Sequence, residues 1–243
     1  MMTKVLVLGA TGATGRLVVQ QFLQQGVDVV AIVRPESIVE QHMAHEPGYV
    51  EVRANVAELG DAGWATHLNG CDAVVCCLGH SPTFGGMFGQ PRSLVVDAIE
   101  NVARVLATRD ADHKAKIVLM NSSGVSNRDI REKPPLSQRL VVALLRVLLP
   151  PHADNENAAD FVRLSIGQAH RNIEWVVVRP DSLTDEDSVT EYDLEPSPLR
   201  NAIFDAGATS RINVANFMCR LVTEPELWRN WKGQMPVIYN SQV

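Results

Sequence analysis

The sequence has few cysteines, few aromatic residues and no hydrophobic run long enough to cross a membrane. Aromatic residues make up 5% of the 243 positions. The longest strongly apolar run, 140–149, is too short to span a bilayer. Cysteine occurs four times, at Cys71, Cys76, Cys77 and Cys219. Because no two of them form a C-x-x-C pair, we expect reduced side chains that pack in the interior, which argues against a disulfide scaffold.

The chain has more acidic than basic residues, and its first residues lead us to expect no export signal. Its formal net charge is −6 and its isoelectric point is about 5.6, whereas a general nucleic-acid binder usually presents a basic face. Met1 leads directly into an apolar strand and a glycine loop, where a secretory signal would have a longer apolar segment and a cleavage site. These absences predict a cytoplasmic protein that binds neither nucleic acid nor membrane.

The first half of the sequence alternates strand patterns with helical patterns. The predicted strands are 5–8, 29–33, 49–53, 73–77 and 117–120. Between the first two, four apolar residues follow helical spacing: Leu17, Val18, Phe22 and Leu23. Continuous apolar runs are typical of parallel strands that are buried on both faces. Their alternation with helices predicts an α/β fold, a doubly wound parallel sheet with helices on both faces.

The second half is less regular and predicts a small C-terminal elaboration of a single domain that covers 1–243. The predicted elements are helices over 136–149, 155–169 and 214–223, and strands over 175–178 and 237–239. Residues 181–198 are acidic and contain prolines, which is typical of an exposed loop near the strand ends.

The predicted helix 136–149 carries an apolar stripe that admits two interpretations. The stripe consists of Val141, Leu144, Leu145 and Leu148, widened by Val142 and Leu149. Burial against the rest of the chain is the favoured interpretation. A subunit interface, which would make the protein a homodimer, is the alternative.

A glycine motif follows the first predicted strand. Residues 9–15 run Gly-Ala-Thr-Gly-Ala-Thr-Gly and match G-x-x-G-x-x-G, directly before the first predicted helix. Glycines permit a tight turn and let the backbone approach a pyrophosphate, while the N–H groups and dipole of the helix N-terminus stabilise its negative charge. In this context the motif predicts a dinucleotide site of the Rossmann type.

The end of the second predicted strand indicates which dinucleotide is bound. NAD binders often carry an acidic residue there, which hydrogen-bonds the ribose hydroxyls. Here Val33 is followed by Arg34, while Asp28 lies at the other end of the strand. An arginine can pair with a 2′-phosphate through two hydrogen bonds, and Arg16 is a second candidate for this role. We therefore expect a preference for NADP(H) over NAD(H).

Several short segments together indicate a family. They are 5–16 with the glycine motif, Val-Arg at 33–34, Leu-Gly at 78–79, Asn-Ser-Ser at 121–123, Arg-Pro at 179–180 followed by Leu183, and Ser-Arg-Ile-Asn-Val-Ala at 210–215. With them the chain resembles, over nearly its whole length, the atypical short-chain dehydrogenases/reductases of the NmrA-like and flavin/biliverdin-reductase-like kind. The resemblance implies a Rossmann-type domain that binds a nicotinamide dinucleotide and a small-molecule substrate.

The resemblance also implies a role for individual residues along the cofactor. The residues implied to bind it are Gly9, Thr11, Gly12, Ala13, Thr14, Gly15, Arg16, Arg34, Asn55, Val56, Leu78, Gly79, Ser122 and Pro180. Asn55 stands where the family usually has aspartate beside the adenine, and Leu78-Gly79 would lie near the nicotinamide-side ribose. Ser123 corresponds to an active-site hydroxyl of related reductases.

The sequence departs from the family in its catalytic residues. The Tyr-x-x-x-Lys pair of this superfamily is absent, and His152 and Glu156 stand where the pair is expected. A histidine can move a proton near neutral pH, whereas a glutamate cannot supply the positive charge of the lysine. Ser123 and His152 are therefore the catalytic candidates. Of the two interpretations of His152, catalytic residue or exposed histidine at the end of a loop, the exposed histidine is the favoured one.

Two further segments carry weaker signals. Residues 80–90 interleave glycines with Phe84, Met87 and Phe88, which indicates either a mobile apolar flap over a flat substrate or an ordinary loop. His42 and His45 stand three residues apart without a third candidate ligand nearby, so we expect no metal site.

Three functions are compatible with these features. The favoured one is an NADP(H)-dependent reductase that passes a hydride to a flavin, a quinone or a conjugated carbonyl, in a pocket formed mainly by 79–91, 122–160 and 180–212. The missing Tyr-x-x-x-Lys pair favours, as an alternative, a non-catalytic dinucleotide sensor that regulates a partner protein. The second alternative is an epimerase or dehydratase of the sugar-nucleotide type, although such enzymes generally need the tyrosine base.

Overall fold

The apolar runs of the sequence form one eight-stranded sheet in the computed structural model, which describes residues 3–39, 45–80, 83, 89–110, 113–130, 132 and 135–241. The strands are β1 (Lys4–Leu8), β2 (Asp28–Val33), β3 (Tyr49–Arg53), β4 (Ala73–Cys76), β5 (Ala115–Met120), β6 (Ile173–Pro180), β7 (Ser182–Thr184), β8 (Tyr192–Glu195), β9 (Ala208–Ser210) and β10 (Val237–Asn240). The order in the sheet is β3-β2-β1-β4-β5-β6-β10-β8, and β7 pairs with β9 separately. Neighbours in the large sheet are parallel except β10 and β8.

Helices connect these strands on both faces of the sheet. They are α1 (Gly15–Gln24), α2 (Asp61–Leu68), α3 (Leu94–Ala107), α4 (Leu136–Leu148), α5 (Pro150–Asp160), α6 (Arg211–Thr223) and α7 (Pro225–Trp231). A short 3₁₀ turn (Val56–Glu58) follows β3, and a π-helical segment (Phe161–Ile166) continues α5. The predicted doubly wound parallel sheet is confirmed.

The core consists of two apolar layers, one on each side of the sheet. Leu6 and Leu8 of β1 lie in one buried cluster, together with residues of α2, α3 and α5. Val5 and Val7 lie in the other cluster, together with residues of α1 and α6. Because both faces of β1 are buried, its sequence is apolar without alternation. The strand order reverses between β1 and β4, which leaves a crevice at the carboxyl ends of these strands.

Two predicted helix starts lie too late in the sequence. The helix predicted over 155–169 begins at Pro150, because proline suits the first turn of a helix, where a backbone N–H has no partner within the helix. The helix predicted over 214–223 begins at Arg211. The side chain of Ser210 caps it by accepting a hydrogen bond from a backbone N–H of the first turn.

The segment 181–198 is not wholly a loop. It contains β7 and β8, and β8 pairs antiparallel with β10 at the edge of the sheet. Helix α7 was not predicted, and its first turn also contains a proline, Pro225. Within the described ranges, no helix combines the length and the apolarity that crossing a bilayer requires.

The favoured interpretation of α4 as a buried helix is wrong for half of its main stripe. Leu144 is 57% exposed and Leu148 is 53% exposed. Val141 and Leu145 are half-buried. Amphipathic spacing predicts that a helix has an apolar face but not what covers that face.

The four cysteines are free thiols, and Cys71, Cys76 and Cys219 are buried. Burial raises the pKa of Cys71 to about 11 and that of Cys76 to about 12. Neither is a thiolate at neutral pH, so the expectation of packing cysteines is confirmed for these positions.

Candidate functional site

The glycine motif forms the turn between β1 and α1. Gly9 has a φ of +75°, and a Cβ atom there would lie 2.5 Å from the carbonyl oxygen of Cys77, which follows β4. The N–H of Gly12 donates a hydrogen bond to the carbonyl oxygen of Gly9 at 3.0 Å, which closes the turn. Position 9 therefore requires glycine. The turn leads directly into the N-terminus of α1, and the backbone N–H groups of a helix N-terminus can stabilise an anion.

A cleft of about 450 Å³ opens beside this turn. Its lining residues are Gly9, Thr11, Gly12, Ala13, Thr14, Ile32, Val33, Arg34, Asn55, Val56, Cys77, Leu78, Gly79, His80, Gln90, Pro91, Leu94 and Met120. The cleft lies at the carboxyl ends of the strands where their order reverses, the position at which doubly wound sheets bind nucleotides. The glycine turn would hold the pyrophosphate, and Arg34 and Leu78 would mark opposite ends of the ligand. The residues present therefore fit a dinucleotide.

Most of the predicted cofactor-binding residues line this cleft. They are Gly9, Thr11, Gly12, Ala13, Thr14, Arg34, Asn55, Val56, Leu78 and Gly79. Gly15 is buried at the start of α1, and Pro180 is the last residue of β6. Ser122 lines a second cavity. Arg16 lines a different depression, between α1 and the start of α6.

Arg34 stands at the mouth of the cleft in a position to meet a phosphate. Its side chain is 63% exposed, and its Nε lies 3.6 Å from Oε1 of Glu36. Arg53 donates hydrogen bonds to the carbonyl oxygens of Pro35 at 2.8 Å and Ser37 at 3.2 Å, which fixes the turn that follows Arg34. Because exposed ion pairs contribute little free energy, Arg34 can exchange Glu36 for a phosphate at small cost.

Asn55 is held by contacts within its own turn. Its Oδ1 accepts a hydrogen bond from the N–H of Ala57 at 3.2 Å, and its Nδ2 donates to Oε1 of Glu58 at 2.6 Å. These bonds cap the 3₁₀ turn that begins at Val56. The role of Asn55 beside the adenine stays a prediction.

A buried pair that was not predicted from the sequence, His80 and Asp154, lies at the end of the cleft that holds Leu78. His80 lines the cleft, and its Nε2 lies 2.8 Å from Oδ2 of Asp154. The fully buried Asp154 carboxylate also accepts the N–H groups of Val95 and Val96 in the first turn of α3. The pair joins the segment after β4 to α3 and α5. A polar residue three positions after the predicted fourth strand was the signal available for His80.

A second cavity of about 250 Å³ lies at the carboxyl ends of β5 and β6. It is lined by Ser122, Ser123, Gly124, Val142, Leu145, His152, Asp181, Ser182, Ala202 and Ile203. The structure thus brings both catalytic candidates, Ser123 and His152, to one cavity.

His152 is not a surface residue at a loop end, which corrects the favoured interpretation. It lies in the first turn of α5, and its side chain is 14% exposed. Its Nε2 is buried and makes no hydrogen bond to any described residue, although Oε1 of Glu156 lies 3.8 Å away. Glu156 pairs with Arg146, whose Nη2 donates to Oε1 at 2.7 Å. Burial lowers the pKa of His152, so the neutral imidazole predominates at pH 7.

Ser123 is buried and fixed by its neighbours. Its Oγ donates a hydrogen bond to Oδ1 of Asp181 at 3.1 Å. Oδ2 of Asp181 accepts the N–H of Gly207 at 2.9 Å. The hydroxyl proton of Ser123 is therefore engaged, and the residue ties the turn after β5 to the segment after β6. The less buried Ser122 accepts the N–H of Gly124 through its Oγ at 3.2 Å.

The burial of His152 predicts a pH-dependent stability. Burial is the main cause that lowers its pKa, and Arg146 lowers it further while Glu156 raises it. The unfolded chain then binds the proton more readily, so folding stability is lost as pH falls through the unfolded histidine pKa of about 6.5. We expect His152→Gln to lose less free energy of unfolding than the wild type between about pH 7.5 and about pH 5.5. Urea denaturation at both pH values measures this, and identical losses would contradict it.

Some predicted features lie outside the described residues. Residues 81–82 and 84–88 of the predicted flap are among them, as is His42 of the histidine pair. In the part of the chain that the structure describes, no group of three or more His, Cys, Asp or Glu residues could hold a metal ion.

Sequence comparison agrees with the geometry of the cleft. The family model described as NAD(P)H-binding matches residues 9–225. An uncharacterized chloroplastic protein from Arabidopsis thaliana is 37% identical over 81 residues, which cover 33% of this chain and 29% of that protein. The match thus spans less than a third of this curated relative.

Solved structures with the same fold include three of interest here. A short-chain dehydrogenase/reductase from Veillonella parvula in complex with NADP has a TM-score of 0.71 and 11% identity, over 99% of this chain and 95% of that chain. A putative NADH-flavin reductase from Streptococcus pneumoniae has a TM-score of 0.66 and 17% identity, over 98% and 100%. An anaerobillin reductase from Escherichia coli O157:H7 has a TM-score of 0.66 and 14% identity, over 99% and 98%. At such identities these structures show the fold, and because the family model covers most of the sequence, the chain belongs to the NAD(P)H-binding family.

Proposed function

We propose that the protein is an NADPH-dependent reductase that passes a hydride to a small flat acceptor. The observation that carries this proposal is the adjacency of two sites at the carboxyl edge of the sheet. Met120 lines the cleft that fits the dinucleotide, and Ser122 lines the second cavity, with Asn121 between them in the chain. The family and the reductases of the same fold support the proposal.

Hydrogen bonds hold this edge in place between the two sites. Nδ2 of Asn121 donates to the carbonyl oxygen of Asn155 at 2.8 Å, and its Oδ1 accepts the N–H of Ser122 at 2.9 Å. The N–H of Ser123 donates to the carbonyl oxygen of Pro180 at 2.9 Å. A bound nicotinamide would supply the hydride. The fixed edge would align the acceptor for its transfer, which is the larger requirement of such a reaction.

The proposed reaction does not need the absent Tyr-x-x-x-Lys pair. A quinone or a conjugated carbonyl accepts a hydride readily, and solvent supplies the proton. A neutral His152 lines the second cavity and keeps its proton. Ser123 would keep the turn after β5 in register with Asp181. His152 is thus proposed as the residue that contacts the acceptor, and Ser123 as a positioning residue.

We propose NADPH as the preferred dinucleotide because Arg34 lines the cleft beyond β2. Arg34→Asp is expected to raise the dissociation constant for NADPH at least about tenfold and to change that for NADH little, since a hydrogen bond to a charged group contributes about 1.5–3 kcal/mol. Fluorescence titration with both dinucleotides measures the effect. Arg171→Asp is the control, because Arg171 is exposed and lies outside the cleft lining. Equal losses for both dinucleotides in Arg34→Asp would refute recognition of the 2′-phosphate.

A non-catalytic dinucleotide sensor is the second candidate function. The exposure of Leu144 and Leu148 on α4 favours it, because such a face suits a partner protein or a second copy of the chain. A sensor would bind NADPH tightly without consuming it.

One experiment separates the two candidates. NADPH consumption is measured across quinones, flavins and conjugated carbonyls, and NADPH binding is measured in the same sample. Consumption that depends on an acceptor is expected for the reductase. Binding without consumption by any acceptor would favour the sensor instead.

A further inference from the structure

We propose that the second cavity binds the hydride acceptor and selects a small uncharged carbonyl compound over anionic acceptors. The inference rests on the proposed reductase function and narrows its substrate class. The acceptor would be a quinone or an enone of one or two rings. Flavin nucleotides and tetrapyrrole carboxylates would be poor substrates.

The size of the cavity limits the acceptor. Its volume of about 250 Å³ is little more than half the 450 Å³ of the cofactor cleft. Pockets for drug-sized ligands usually occupy about 300–1,000 Å³. The described walls therefore suit a molecule of one or two rings.

The lining of the cavity combines apolar and polar side chains. Val142 and Leu145 of α4 and Ile203 are apolar. His152 and the serines of the turn 122–124 are polar. A flat ring would lie against the apolar side chains, and its oxygen atom would lie toward the polar ones.

The charge of the cavity disfavours an anion. Among its described lining residues, His152 and Asp181 are titratable, and none is arginine or lysine. Burial lowers the pKa of His152, which leaves the imidazole neutral. The nearby Arg146 is paired with Glu156. An anionic acceptor would thus enter beside the Asp181 carboxylate without a cation among the described lining residues to balance its charge, which is unfavourable in a partly desolvated site.

The proposed step balances in atoms and electrons. The acceptor takes up the hydride with both electrons of the C–H bond that breaks, and its carbonyl oxygen gains the negative charge. That oxygen then takes a proton from water. The products are the reduced acceptor and NADP⁺. His152 keeps its own proton throughout.

The first test compares a neutral acceptor with an anionic one of similar shape. NADPH consumption is followed with 1,2-naphthoquinone and with 1,2-naphthoquinone-4-sulfonate. We expect kcat/KM to be at least about tenfold lower for the sulfonate, the scale of a like-charge mismatch in a binding site. An equal or higher kcat/KM for the sulfonate, or a clear preference for flavin mononucleotide, would overturn the inference.

Charge variants connect that preference to the cavity. Val142→Arg is expected to raise kcat/KM for the sulfonate and lower that for the neutral quinone, each severalfold. Ile203→Lys places a positive charge in the cavity from a different part of the chain, and it replaces Val142→Arg in this test if that variant does not fold. Leu148→Arg is the matched control, because Leu148 is on the same helix but exposed and outside the cavity lining. The same change of preference in Leu148→Arg, or no change in either cavity variant, would overturn the inference.

Binding measurements separate failure of this inference from failure of the proposed function. The neutral quinone is titrated into NADP⁺-loaded protein. Binding that Val142→Arg weakens and Leu148→Arg does not, in a protein without turnover, would support the cavity and contradict the reductase. Turnover that neither cavity variant alters would support the reductase and place its acceptor elsewhere.

Discussion

Gly15→Ala is expected to raise the dissociation constant for NADPH at least about 100-fold, a loss of about 2.7 kcal/mol of binding free energy. A Cβ atom at this position would collide with the carbonyl oxygen of Gly9 and would lie 2.8 Å from its carbonyl carbon and 3.2 Å from Cα of Ala10. All these atoms belong to the backbone, so no side-chain rotation relieves the contact. The turn must shift, and with it the N–H groups that would bind the pyrophosphate. Fluorescence titration with NADPH measures the loss.

Two variants control for unfolding. Gly60→Ala adds a methyl group where nothing lies within 4 Å, and it should bind NADPH as the wild type does. Gly12→Ala places its Cβ 3.2 Å from the carbonyl oxygen of Gly9, so a smaller loss is expected with the fold intact. Wild-type affinity in Gly15→Ala would show that the turn does not hold the dinucleotide.

Arg179→Met is expected to lower the free energy of unfolding by about 3–5 kcal/mol, because it leaves the buried carboxylate of Glu132 without its positively charged partner. Arg179 is fully buried, and its Nη2 lies 2.8 Å from Oε1 of Glu132, whose side chain is 5% exposed. The guanidinium also donates hydrogen bonds to the carbonyl oxygens of Met235 at 2.7 Å, Val125 at 2.9 Å and Pro196 at 3.3 Å. It thus joins β6 to the loop after β5 and to the segment before β10.

The melting temperature should fall by roughly 10 °C in Arg179→Met, at about 2–4 °C per kcal/mol for a domain of this size. The double variant Arg179→Met/Glu132→Gln removes the stranded carboxylate and should recover part of the loss. Thermal and urea denaturation of the wild type, both single variants and the double variant give the free energies of unfolding for a double-mutant cycle. A loss that the second substitution does not reduce would show that the carbonyl contacts, rather than the ion pair, stabilise this region.

The glycine turn could be predicted because it depends on neighbours in sequence. A buried strand, a tight turn and a helix N-terminus follow one another within residues 4–24, and each step is specified by local residue types. The strand and helix pattern could be predicted for a similar reason. Burial on both faces makes a parallel strand apolar throughout, whatever the rest of the chain does.

The second cavity could not be predicted in the same way. Its walls come from the ends of β5 and β6, from α4, from the start of α5 and from the segment around Ile203. Helix α5 begins at Pro150 rather than at 155, and this single misplaced start put His152 in a surface loop. The exposure of Leu144 could not be predicted either, because it depends on which other elements pack against α4.

The sequence alone determined the doubly wound parallel sheet and the place of the glycine turn on it, since both follow from contiguous residues and from the periodicity of burial. The tertiary structure decided which polar groups meet. His80 and Asp154 are 74 positions apart, yet their side chains lie 2.8 Å apart. No periodicity encodes such a contact, because a hydrogen bond between distant residues depends on how whole helices and strands are placed in three dimensions.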